Sequence, residues 1–154
     1  LITLLFFYRK LLRTIDIKEG KELLLQATEL PLQNAGIMIN PENATDIDMG
    51  FCHGVVGVLH MFHRFAQVFK DDAFQKSKAY WLDVMLKNAK QDELYVGWKG
   101  AKALNENDET KWIPRASLLE GATGIGMVLL QDFLMEPTQG LQWDHFYYTD
   151  LINL

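Results

Sequence analysis

Apolar residues recur at helical spacing through most of this chain. Leu1, Leu4, Leu5, Tyr8, Leu11, Leu12 and Ile15 stand three and four residues apart, which predicts one face of a helix. A second helix is predicted from about Lys18 to Leu30, stopped by Pro31, which has no N–H to donate and clashes with the preceding turn. A polar loop follows from Asn34 to Asp48, with Asn40-Pro41-Glu42-Asn43 as its turn chemistry. The next predicted helix, from about Cys52 to Phe69, is apolar on most faces and therefore expected to be buried. The one after it has the cleanest stripe: Ala73, Phe74, Ser77, Tyr80, Trp81, Val84 and Met85 on one side, Lys76, Lys78, Asp83 and Lys87 on the other. That pattern predicts an outer helix with one face on the core.

From Gln91 to Arg115 no period is sustained, and Gly97 and Gly100 suggest a long loop with a short hairpin, a kind of segment that is often functional. A fifth helix is expected from Ser117-Leu118-Leu119-Glu120, which reads as a capping box, through Leu130. Pro137 and Gly140 end the helical part. Two segments repeat one another: Gly54-x-x-Gly57-Val58 and Gly121-x-x-Gly124-Ile125 each open an apolar helix, preceded by His53 and Glu120 respectively. Buried helices alternating with amphipathic ones predict an all-α solenoid or ring. Gly121-x-x-Gly124-x-Gly126 also matches a dinucleotide fingerprint, but that motif needs a strand before it, and Ile113-Pro114-Arg115-Ala116-Ser117 is not one. Close helix packing explains these glycines better.

Candidate chemistry concentrates at Cys52 and His53, the only place where a soft metal ligand meets an imidazole. Zinc takes both donors, and a catalytic zinc keeps three protein ligands with one position open. Neighbours on a regular helix point about 100° apart, so these two can share an ion only where the backbone is irregular. Gly54 and Gly57 permit that irregularity. A helix N-terminus at this point would also lower the Cys52 thiol pKa. The dipeptide alone leaves open the alternative that Cys52 is a small buried hydrophobe. A Cys/His nucleophilic dyad fits poorly, because such pairs are usually distant in sequence. His60 lies two helical turns beyond His53, roughly 10 Å along the axis, too far to share its ion. His63, on a different face, and His145 read as packed or solvated histidines. With a single cysteine, no two-cysteine, one-histidine site can be built from this polypeptide alone.

Composition narrows the partners. The 154 residues make one ordinary domain or part of a larger one, and 49% hydrophobic with 23% charged residues suffices for a sizeable core. The net charge of −5 is spread along the chain, with no basic stripe to neutralise phosphates, so nucleic acid is not expected as a partner. One cysteine excludes an internal disulfide framework and fits a reducing compartment, hence the cytoplasm. The apolar opening ends at Arg9 and Lys10, well short of the ~20 residues a membrane span needs, and carries no signal-peptide pattern. The first residue is not Met, so the chain reads as a piece of a longer one.

Four ordered blocks carry a family resemblance. Gly50-Phe51-Cys52-His53-Gly54-Val55-Val56-Gly57-Val58-Leu59-His60 resembles the G-x-C-H-G-x-x-G block of the lanthionine synthetase C family, the cyclases of lanthipeptide biosynthesis. Ala79-Tyr80-Trp81, Val96-Gly97-Trp98-Lys99-Gly100, and Ser117-Leu118-Leu119-Glu120-Gly121-Ala122-Thr123-Gly124-Ile125-Gly126 with Trp143-Asp144 resemble its later blocks, in the same order. The resemblance implies an α/α toroid, of which residues 1–154 would form about the last three helix pairs. It implies Zn2+ held by two cysteines and a histidine, with Cys52 and His53 as the second cysteine and the histidine and the first cysteine in a W-C-x-G motif upstream. It further implies a dehydrated precursor peptide as partner, whose cysteine adds as a zinc-bound thiolate to dehydroalanine or dehydrobutyrine. The competing expectation is a truncated or degenerate helical module that binds a partner and catalyses nothing. Part of a ring exposes faces the whole would bury, so self-association or pairing with a missing N-terminal portion is expected.

Overall fold

The computed structural model of the chain describes residues 17–29, 32–44, 46–102 and 111–134. The first predicted helix, Pro137, Gly140, Trp143-Asp144 and His145 lie outside the described residues. The fold is all-α: α1 (Ile17–Ala27), α2 (Val55–Phe69), α3 (Asp72–Lys87) and α4 (Ala122–Leu129), the last continued by a π-helical turn, Leu130–Leu134. Among the described residues the only sheet is a ribbon of β1 (Gly100–Lys102) and β2 (Lys111–Ile113), antiparallel, with Gly100 opposite Ile113 and Lys102 opposite Lys111. This is the hairpin expected within the Gln91 to Arg115 segment.

Helices α2 and α3 pack along their length. Phe74 is fully buried, with the rings of Phe69, Phe65 and Phe62 at 5.4, 5.7 and 6.4 Å between centroids. Trp81 and Met85 of α3, Val55, Val56 and Leu59 of α2, and Ile125 and Val128 of α4 are buried in the same apolar core. The α3 stripe is as its spacing predicts except at Tyr80, which is 43% exposed. Tyr80 is one residue, about 100° of rotation, from the buried Trp81, and it meets that ring edge-on from outside at 5.1 Å. Asp71 caps α3 by accepting from Ala73 N at 3.1 Å and ties it to α1 through Lys21 at 2.7 Å.

Helices α2 and α4 begin later than their apolar runs suggest, at Val55 rather than Cys52 and at Ala122 rather than Ser117. In each case a glycine in extended conformation, Gly54 or Gly121, forms the N-cap, and the residues before it form a turn. Ser117 and Glu120 do pair, Glu120 N donating to Ser117 Oγ at 3.2 Å, but the bond closes that turn instead of capping the helix. The two turns are built alike. Val55 N donates to Asp48 O at 2.9 Å and Ala122 N to Arg115 O at 2.7 Å, each seven residues back. A Cβ on Gly57 would overlap the Phe51 carbonyl, and one on Gly124 would overlap the Leu118 carbonyl, so each helix passes so close to its own turn that only glycine fits. The repeat seen in the sequence is therefore a repeat of turn and helix. The two turns also join, Cys52 N donating to Leu119 O at 2.9 Å.

Candidate metal centre

The irregular backbone that a shared ion would require is present. Phe51, Cys52 and His53 lie in the turn before α2, and this lets adjacent side chains converge. Cys52 Sγ and His53 Nδ1 are 2.6 Å apart on the exposed surface. His53 Nε2, on the opposite side of the ring, stands 3.1 Å from Asp48 Oδ2, whose side chain is fully buried. A ligating histidine commonly backs its second nitrogen onto such a carboxylate.

Asp48 is itself held from two elements. Its Oδ1 accepts from Gly50 N at 2.8 Å, and its Oδ2 from Ala101 N on β1 at 3.1 Å. The strand is laid beside it by Met49 N donating to Lys99 O at 3.0 Å, with Lys99 further bonded to Asp46 at 3.0 Å. The expected lowering of the Cys52 thiol pKa does not hold. Partial desolvation, and then the Asp48 charge, push it up, and α2 starts at Val55, not at Cys52.

A thiol and an imidazole nitrogen facing each other, with a carboxylate behind, suit zinc. In tetrahedral coordination the S···N separation is about 3.5 Å, so the pair need open by only about 1 Å. Two ligands fall short of three, and no group of three histidine, cysteine or acidic side chains among the described residues could hold a metal ion.

The remaining described histidines belong to the core. His60 is fully buried, its Nδ1 2.7 Å from Asp132 Oδ2 on the π-helical turn and its ring 5.6 Å from Phe51. His63 Nε2 accepts from the Gln67 amide at 2.7 Å, and its ring lies against Phe133. Burial holds the His63 pKa down to about 4, with Lys78, His60 and Arg64 acting the same way and Asp132 opposing them. Asp48 and Asp132 were not singled out by the sequence. For Asp48 the available signal was its place between the apolar Ile47 and Met49, as expected of a buried carboxylate with partners. No described helix is long and apolar enough to cross a membrane.

Comparison with known proteins gives one match. The family described as "Lanthionine synthetase C-like protein" matches residues 11–144, nearly the whole chain, and the chain belongs to that family. No curated protein and no solved structure matches it.

Proposed function

We propose that this member of the lanthionine synthetase C-like family carries the zinc-binding part of a thioether-forming cyclase, acting on a dehydrated precursor peptide in a reducing, cytoplasmic setting. The observation that carries this reading is the convergence of Cys52 Sγ and His53 Nδ1, with His53 Nε2 backed by buried Asp48. The ring to which these helices would contribute is the family's α/α toroid. The third ligand is a thiolate that this chain, with its single cysteine, does not carry.

In the metal-free chain Cys52 is a neutral thiol whose nearest acceptor is His53 Nδ1. Both sit on an exposed turn, so a peptide cysteine can approach from solvent. Zinc, when bound, supplies the Lewis acidity that holds a substrate cysteine as thiolate at neutral pH. A carbon–sulfur bond then forms at the β-carbon of a dehydroalanine or dehydrobutyrine, and the thiol's proton ends on the α-carbon, with no change of oxidation state overall. Asp48 keeps His53 oriented throughout, and Gly57 and Gly124 keep the turns seated on their helices.

The test is cyclisation of a dehydrated peptide by the chain joined to a segment carrying the W-C-x-G cysteine, followed by alkylation of remaining peptide thiols. Loss of alkylatable thiol with the native sequence, and its full retention with Cys52→Ala, is expected. Equal ring formation by both proteins would refute the assignment. No ring formation by either would favour the helical interaction module.

A further inference from the structure

Asp48 accepts from two backbone N–H groups and faces His53, and that arrangement determines which histidine nitrogen is free. We propose that Asp48 is a positioning residue for the metal pair: it holds His53 with the proton on Nε2, so that Nδ1 is presented bare beside Cys52. The inference rests on the zinc reading above for its purpose, but not for its geometry.

Both oxygens of Asp48 are already acceptors. Oδ1 takes the Gly50 N–H and Oδ2 the Ala101 N–H, so both oxygens are engaged as acceptors, the role a carboxylate fills. Nε2 of His53, 3.1 Å from Oδ2, must therefore donate, since the other tautomer would set two lone pairs against each other at a buried oxygen. With the proton on Nε2, a neutral ring has its lone pair on Nδ1, 2.6 Å from Cys52 Sγ. The thiol donates there until a metal replaces its proton. The ribbon gains a role by the same argument. Ala101 N–H fixes the carboxylate from 53 residues away, so β1 helps set the orientation of His53 through Asp48.

Glycine is required around this carboxylate. A Cβ at Gly54 would overlap Asp48 and the Gly50 amide, and one at Gly50 would meet Asp48 Oδ1 at 3.0 Å. A side chain at Gly54 therefore cannot be fitted without moving Asp48 or the turn that holds it.

Long-range 15N–1H correlation NMR of the metal-free native chain, at neutral to mildly alkaline pH, reads the protonation of each His53 nitrogen directly. A protonated Nε2 and a bare Nδ1 are expected. A proton on Nδ1, alone or in addition, would overturn the proposal. Asp48→Ala removes both acceptors, so in that variant the Nδ1–H form should become populated. An unchanged tautomer in folded Asp48→Ala would also overturn it, and if that variant does not fold, the native measurement decides. In the protein supplied with the third thiolate, Zn2+ affinity should fall about 10- to 100-fold in Asp48→Ala, as for other outer partners of ligating histidines. Because the tautomer is read without metal, its failure is separate from failure of the zinc reading, which would show as a bare Nδ1 that binds no Zn2+.

Discussion

Replacing His63 by Gln removes a titrating group from the buried face of α2 while keeping a polar partner for Gln67. In the fold the His63 pKa is held near 4, down from 6.5, first by burial and then by Lys78, His60 and Arg64, against the pull of Asp132 at 4.0 Å. Its side chain is only 11% exposed, so solvent screens little of this. The sign follows from proton counting. Between 6.5 and about 4 the unfolded chain binds a proton at this position and the folded one does not, so stability falls as the pH falls through that window and the loss is complete near pH 4. At about 1.36 kcal/mol per tenfold, the full effect is roughly 3 kcal/mol. A charged His63 recovers part of this by turning the Gln67 carbonyl toward Nε2, which leaves about 2 kcal/mol. For a chain of this size that corresponds to roughly 4–8 °C in Tm. Thermal unfolding followed by circular dichroism at pH 7 and near pH 4 should therefore show a larger acid-induced fall in the native chain than in His63→Gln, by that amount. Equal falls in the two proteins, or a larger one in the variant, would refute the reasoning.

Two glycines in similar sequence settings should respond in opposite directions. Gly57→Ala places a methyl group against the Phe51 carbonyl and should destabilise by about 3 kcal/mol or more, whereas Gly126→Ala, with nothing within 4 Å of the new Cβ, should stabilise α4 by up to about 1 kcal/mol, both read by urea denaturation. His60→Ala removes one partner of a buried pair and should cost about 3–5 kcal/mol in the same assay. In the protein supplied with the third cysteine, the folded fraction of that variant should still bind zinc, since His60 is committed to Asp132.

The parts of this fold that were legible in sequence are those set by local periodicity. The stripes of α2 and α3 follow from 3.6-residue spacing, and the repeated G-x-x-G segments correspond to a repeated turn and helix. The helix starts were less legible, because apolar residues continue into the turns and the N-caps at Gly54 and Gly121 make no side-chain bond that would mark them. The proposed metal pair, Cys52 and His53, was visible as a dipeptide. Its supporting carboxylate was not, since Asp48 acquires its role only when Ala101, 53 residues later, is folded beside it. The same holds for His60, whose partner Asp132 is 72 residues away. The direction of the thiol pKa was not legible, because Cys52 lies on a turn three residues before the helix, where partial burial and then the Asp48 charge raise it.

Zinc analysis of the chain joined to the family's W-C-x-G segment tests the central claim most directly. After gel filtration the native sequence should carry one equivalent of zinc, and Cys52→Ala and His53→Ala should each carry almost none while remaining helical. Stoichiometric zinc in the Cys52→Ala protein would contradict the account.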